Sequence, residues 1–149
     1  YPNYIEMFKN LGSTVPLNSV ILLFDNELNN KNKPVYKFVS NKISDDRKKQ
    51  LCTRTWINLL ENLYLMITPL VGESEECDIE MLFDEATLSH EIGGKKFCKK
   101  DTFDTSKFYG KEIFSQYIMK NYSSIDFGGF KPLLNNINMV IKDYKERIQ

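Results

Sequence analysis

Two carboxylates follow an apolar run near the start of the 149-residue chain. Asp25 and Glu27 come directly after the five residues Val20–Phe24 and are separated by Asn26. Carboxylate oxygens are the ligands that hard cations prefer, and Mg²⁺ needs only one or two of them from the protein. The pair therefore predicts a site for Mg²⁺ or Mn²⁺. A solvated strand end without metal is the alternative interpretation, because the pattern is short and common.

A metal site of this kind could cleave phosphodiesters. Cations that bridge carboxylates and phosphate oxygens stabilise the developing charge and lower the pKa of an attacking water. This chemistry needs no histidine or cysteine nucleophile, which suits a chain with one histidine and three cysteines. For His90, the single histidine, a structural or surface role is favoured over catalysis, because no triad is indicated around it.

Further charged residues extend this hypothesis. Glu80 and Asp84 are four residues apart, so they share one face of a predicted helix and are additional candidates for metal binding. Solvent exposure and helix capping by Asp84 are the alternatives. Three lysines close to aromatic residues, Lys95, Lys96 and Lys111, are candidates for contact with the phosphates of DNA or RNA. The alternative interpretation is that these lysines belong to an ordinary basic turn exposed to solvent.

The elements that position these residues form an α/β pattern. Val20–Phe24 has no alternation, which indicates a central strand buried on both faces. A second apolar run at 63–68 predicts another strand. The order strand, helix, strand indicates a right-handed crossover connection, in which the two strands are parallel. The helix between them begins after Ser44, and its predicted apolar stripe consists of Cys52, Trp56, Leu59, Leu60 and Leu63.

The rest of the chain is predicted to be mostly helical. The prediction is a single α/β domain, with a small, mainly parallel sheet in residues 1–70 and a helical extension in 71–149. An N-terminal helix at 4–11 ends at Gly12. The extension comprises helices at 79–84 and 85–92, a long helix capped by Ser106, and an amphipathic helix at 130–148.

Composition limits the possible partners and compartment. Twenty basic residues balance twenty acidic ones, so nucleic acid would have to bind a local patch. No apolar run approaches the roughly 20 residues of a membrane span, which predicts no membrane partner. Three widely spaced cysteines favour a reducing, cytoplasmic compartment. Because the sequence opens at Tyr1 rather than Met, we expect it to be part of a longer protein.

An ordered set of stretches resembles a known family. VILLFDNE, NLYLMITP, IEMLFD, GGKKF, FYGKEIFSQYI and IDFGGFKPLL, in this order, resemble the C-terminal region of retron-type reverse transcriptases with a fused TOPRIM domain. The likeness spans residues 11–144. It implies an RNA-directed DNA polymerase elsewhere in the same polypeptide and an appended nuclease that acts in anti-phage defence.

The resemblance also implies roles for particular residues. TOPRIM domains combine a Glu at the end of one strand with an Asp-x-Asp at the end of a later strand, and these acids coordinate Mg²⁺. The Asp-x-Asp falls on Asp25 and Glu27, so its second acid is a Glu, and Asn29-Asn30 replaces the glycine of the family. No strand ending in Glu precedes Asp25, because Glu6 lies in a predicted helix. The implied metal site is therefore incomplete, and the isolated chain is expected to be inactive.

Two other functions fit parts of the same pattern. The chain could be a non-catalytic module that docks the polymerase or its RNA–DNA product. It could also be a receiver-like phosphotransfer domain, which likewise places acids at strand ends. A receiver-like domain would require a lysine at the end of the second strand, and none follows LYLMIT.

Overall fold

The chain folds as two compact units of mixed α/β structure, which confirms the predicted fold class. We describe the protein from a computed structural model, in which residues 2–11, 15–100 and 102–149 are described. The first unit extends to Cys77 and includes Pro132–Gln149, whereas the second comprises Asp78–Lys131. The C-terminal helix thus belongs almost entirely to the unit that contains Asp25 and Glu27.

The first unit is built from helices and a three-stranded sheet. Its elements are α1 (Pro2–Leu11), β1 (Val20–Phe24), α2 (Pro34–Lys42), α3 (Asp45–Arg54), β2 (Trp56–Leu60), β3 (Leu63–Ile67) and most of α6 (Lys131–Arg147). The predicted N-terminal helix is confirmed as α1, while Gly12 lies outside the described residues. Ser44 is the N-cap residue of α3, as predicted, and two acids occupy the first turn, where the helix dipole favours them.

The sheet has the strand order β1-β3-β2. β1 and β3 are parallel, as predicted, and their register places Val20 opposite Leu63 and Phe24 opposite Ile67. β2 pairs with the other side of β3 in the antiparallel direction. β3 is therefore the central strand, and all five of its residues are at most 2% exposed.

The prediction that β1 is a central strand buried on both faces is wrong. β1 lies at the edge of the sheet, and four of its five side chains are 38–45% exposed. An unbroken apolar run indicates that both faces of a strand can contact apolar groups, but it does not say how many neighbouring strands are present. β1 has one neighbour among the described residues, so its other edge and the adjoining parts of both faces stay uncovered.

The predicted apolar helix stripe that included Trp56 is also wrong. α3 ends at Arg54, Thr55 adopts a left-handed conformation with φ 64°, and Trp56–Leu60 forms β2. A turn with Glu61 at φ 45° then leads into β3. Over so short a stretch, the apolar residues at 56, 57 and 59 fit both the periodicity of a helix and that of a strand. Pairing with the buried β3 decides in favour of a strand.

Both faces of β3 contribute to the core. Leu63, Leu65 and Ile67 pack with apolar residues of α2, α3 and β2. On the other face, the Tyr64 ring lies 6.0 Å from the Trp56 ring and 6.5 Å from that of Tyr144 in α6. The sheet of the first unit is thus covered by α2 and α3 on one side and by α6 on the other.

A chain of hydrogen bonds joins α6 to the sheet. The Tyr64 hydroxyl donates to Asp143 Oδ2 over 2.6 Å, and Arg147 Nε donates to the same oxygen over 2.7 Å. Burial, and next the hydrogen bond to Asp143, raises the pKa of Tyr64 well above its ordinary value. The phenol is therefore held in its protonated, donating form.

The second unit combines short helices with a two-stranded parallel pair. Its elements are a 3₁₀ turn (Ile79–Leu82), α4 (Glu85–Leu88), β4 (Lys96–Phe97), β5 (Phe108–Tyr109), α5 (Lys111–Asn121) and two further 3₁₀ turns (Tyr122–Ser124 and Gly128–Phe130). Edge-to-face and stacked contacts of Phe83, Phe97, Phe114 and Phe130 form its aromatic centre.

Several predicted boundaries in this half of the chain need correction. The predicted helix at 79–84 is a single 3₁₀ turn, and the one at 85–92 ends at Leu88. The long helix begins at Lys111 rather than after Ser106, because Ser106 forms a turn with Asp104, whose Oδ1 accepts from its backbone N–H and hydroxyl. The predicted C-terminal helix is confirmed as α6, which runs from Lys131 to Arg147.

The pKa of Tyr64 predicts how stability changes in alkaline solution. Below about pH 10 the phenol is protonated in both states, so the shift adds no slope to the stability curve. Above pH 10 the unfolded chain releases this proton while the folded chain retains it, so the free energy of unfolding falls as pH rises. We expect Tyr64→Phe to reduce this slope in urea unfolding measured from pH 9 to 11. The control Tyr122→Phe, at an exposed tyrosine, should keep it; an unchanged slope in Tyr64→Phe contradicts the shift.

Candidate metal centre

Asp25 and Glu27 lie at the C-terminal end of β1. Because β1 and β3 are parallel, the C-terminal ends of both strands lie on the same side of the sheet. Open α/β sheets bind their ligands at the carboxyl ends of the strands. The first unit therefore places the two predicted metal ligands at the edge where this architecture puts functional sites.

Asn26 holds the segment between the two acids. Its backbone N–H donates to the Cys77 carbonyl and to Thr68 Oγ1, each over 2.9 Å, and its side-chain amide donates to the Thr68 carbonyl over 3.1 Å. The Cys77 N–H returns a bond to the Asn26 carbonyl over 3.0 Å, and the Thr68 hydroxyl donates to the Cys77 carbonyl. Asn26, Thr68 and Cys77 are all buried. We call this set of hydrogen bonds the Asn26–Thr68–Cys77 clamp; it fixes the backbone between Asp25 and Glu27.

Glu27 already has a cationic partner. Lys33 Nζ lies 2.5 Å from Glu27 Oε1, and the Glu27 side chain is only 16% exposed. Turns bring the lysine back, because Asn30 N–H donates to the Glu27 carbonyl and Lys33 N–H donates to the Asn30 carbonyl. A cation that binds Glu27 must therefore displace or share this ammonium group.

The other predicted acids have structural partners in the second unit. Glu80 forms an ion pair with Lys111, with Nζ 3.1 Å from Oε1. Glu80 was predicted to bind a metal and Lys111 to contact phosphate, but the two side chains bind each other. Asp84 is the N-cap of α4 and accepts from the Thr87 N–H over 3.2 Å, the capping role that the sequence predicted. Both carboxylates thus have partners within the protein, and these contacts do not indicate a metal site.

The remaining predicted phosphate contacts are also engaged. Lys95 Nζ donates to the Thr105 carbonyl over 2.7 Å, and Lys96 Nζ lies 3.8 Å from a Glu91 carboxylate oxygen. His90 stacks on the Tyr117 ring at 4.1 Å, and its carbonyl accepts from the Tyr109 hydroxyl. The cations of the second unit that the sequence singled out thus bind oxygens of their own unit.

The end of β1 has two carboxylates, Asp25 and Glu27. Among residues 2–11, 15–100 and 102–149, no three His, Cys, Asp or Glu side chains cluster in a way that could hold an ion. Asp25 and Glu27 still fit Mg²⁺, which keeps several waters and takes few protein carboxylates. They would form part of a coordination shell.

The Asn26–Thr68–Cys77 clamp was missed from the sequence. Asn26 looked like a spacer between two acids, and Thr68 like the last residue of a strand. The available signal was weak: a threonine and an asparagine follow the apolar runs of two strands predicted to be parallel. Side chains at adjacent strand ends can bond to each other, but nothing in the sequence identified Cys77 as their third partner.

No protein-family model matches the chain, and no solved structure is significantly similar to it. Within the described part of the chain, none of the helices is long and apolar enough to cross a membrane.

The clamp predicts unequal effects of two substitutions at Thr68. Thr68→Val removes the hydroxyl that joins Asn26 to Cys77 and leaves buried polar groups less well bonded, so we expect a loss of roughly 1–3 kcal/mol in unfolding free energy. Thr68→Ser keeps the hydroxyl and should lose much less. Urea unfolding of the two variants measures the difference. A valine variant as stable as the wild type would show that the hydrogen bonds of the hydroxyl do not stabilise this segment.

Proposed function

We propose that this chain is a TOPRIM-like region of a retron-type reverse transcriptase that takes part in Mg²⁺-dependent phosphodiester cleavage of DNA or RNA. The observation that carries the proposal is the position of Asp25 and Glu27 at the C-terminal end of a strand in a parallel pair. The resemblance in sequence, which implies the same two positions as metal ligands, supports it. In this proposal the polymerase is another part of the same polypeptide.

In this proposal, different residues of the chain have different roles at the metal site. Asp25 and Glu27 would hold Mg²⁺, which when bound stabilises charge on the phosphate and lowers the pKa of an attacking water. Asn26 keeps the two carboxylates on a fixed backbone. Lys33 neutralises Glu27 in the absence of metal and would be released when a cation binds.

The open edge of β1 offers a place for the missing carboxylate. Within β1, Val20, Leu22 and Phe24 direct their backbone groups to β3, so Ile21 and Leu23 direct theirs to the other side. A strand paired there would end beside Asp25 if it ran parallel. We infer that a strand ending in the Glu that the resemblance implies joins β1 at this edge.

A non-catalytic docking function is the second candidate, and a specific observation favours it. β1 exposes apolar side chains, and among the described residues no strand pairs with its outer edge. The strand has no charged residue or proline, the features that usually protect such edges. A partner could bind this edge by adding a strand, without any metal. A metal titration separates the two candidates.

Manganese titration tests the metal site in this chain. Two carboxylates bind weakly, so we propose to follow paramagnetic broadening of backbone amide signals, which detects Mn²⁺ at low occupancy. We expect broadening centred on residues 25–28, its loss in Asp25→Asn, and no change in the control Asp46→Asn, at an exposed acid of α3.

Lys33 provides an independent arm of the same test. Lys33→Met removes the ammonium group that competes for Glu27, so we expect Mn²⁺ to bind more tightly than in the wild type, by roughly threefold to tenfold. Broadening centred elsewhere, or equal broadening in Asp25→Asn and Asp46→Asn, would rule out the metal site and leave the docking function.

A further inference from the structure

All three arginines of the chain line one small cavity in the first unit. Arg47, Arg54 and Arg147 surround a space of about 220 Å³ together with Trp56 and Asp143. The chain has many lysines distributed along its length, but its guanidinium groups are collected at this one place. Such a concentration calls for a physical reason.

Helix geometry and the start of β2 build the cavity. Arg47 and Arg54 are seven residues apart, which is about two turns, so they lie on the same face of α3. The chain turns at Thr55, and Trp56 then begins β2. The Arg54 guanidinium lies 5.8 Å from the centre of the Trp56 ring, close enough for a cation–π contact.

The charges around the cavity do not balance. Arg147 pairs with Asp143, so these two lining charges compensate each other. Arg47 and Arg54 form no ion pair with another residue in the described part of the chain. Three guanidinium groups against one carboxylate leave an excess of two positive charges. The cavity therefore attracts an anion.

The indole of Trp56 adds an unsatisfied donor. Its residue is 6% exposed, and its Nε1–H is buried without an acceptor among the described residues. Buried donors nearly always have a hydrogen-bond partner, since leaving one unpaired is unfavourable. Trp56 also lines the cavity, so the signal of this N–H reports on what binds there.

We propose that this cavity binds a phosphate group through Arg47 and Arg54, beside Trp56. Guanidinium forks match the oxygens of phosphate, which accept two parallel hydrogen bonds from each arginine. The volume of the cavity is large enough for a phosphate group. The source is either free phosphate or a phosphate of a nucleotide or nucleic-acid strand.

The sheet relates this cavity to Asp25. Trp56 is opposite Met66, and Phe24 is opposite Ile67, so β2 begins at the edge where β1 ends. With β3 between them, the two strands are about 10 Å apart. A nucleic-acid strand held at the cavity could thus extend toward Asp25. This connection rests on the proposed nuclease function, whereas phosphate binding does not.

The single tryptophan makes the test direct. Sodium phosphate is titrated, without divalent metal, against sodium chloride of equal ionic strength, and the NMR signal of the one indole N–H is followed. We expect a saturable downfield shift with phosphate alone. Arg47→Gln and Arg54→Gln should each weaken binding about tenfold, since each removes charge-assisted hydrogen bonds. Lys49→Gln, on the same helix but outside the cavity, should bind like the wild type.

A second titration with a short single-stranded oligonucleotide identifies the source. Tighter binding than phosphate, weakened by salt, assigns the site to a nucleic-acid strand; weaker binding assigns it to free phosphate or a terminal phosphate. An indole signal that does not move, or that moves equally in both arginine variants and the wild type, overturns the proposal. Asp25→Asn should leave the phosphate titration unchanged, so failure of the metal site and failure of this site can be told apart.

Discussion

The parallel pairing of β1 with the fully buried β3 is the constraint on which the rest of the first unit depends. β3 receives α2 and α3 on one face and α6 on the other, and it pairs with a strand along each side. The register of the parallel pair decides where β1 ends. It therefore also decides where Asp25 and Glu27 lie. The Asn26 clamp between the ends of the two strands makes that position rigid.

The charges of the two units have different consequences. In the second unit, acids and lysines that the sequence singled out bind each other or backbone oxygens, as Glu80 and Lys111 do. In the first unit, Glu27 is paired with Lys33, whereas Arg47 and Arg54 have no ion pair within the part of the chain that the structure describes and leave a positive excess. The unit with the acids at its strand end is thus also the one with a cavity suited to phosphate.

The sequence predicted what local pattern can determine. The parallel strands, the α3 N-cap at Ser44, the C-terminal helix and the capping role of Asp84 follow from runs, spacing and capping residues within a few positions. The edge position of β1 could not be predicted, because it depends on which strands are present beside it. Trp56–Leu60 was assigned to a helix because five residues cannot distinguish two periodicities.

The candidate sites show the same limit. The acids of the strand end were found, because they are adjacent to the apolar run that positions them. Lys33 and Cys77 were not, because turns of the chain bring them to Glu27 and Asn26. The arginine cavity joins α3, β2 and the end of α6, and Arg147 is 93 residues from Arg54, so only the fold reveals it.

Hydrogen exchange of the β1 amides tests the central claim most directly, namely that β1 is an edge strand paired with β3 alone within the described chain. The N–H groups of Leu22 and Phe24 point to β3, whereas those of Ile21 and Leu23 point away from it. We predict strong protection of the first two and rapid exchange of the other two. Equal protection of all four amides would contradict the open edge, and with it the place proposed for an added strand.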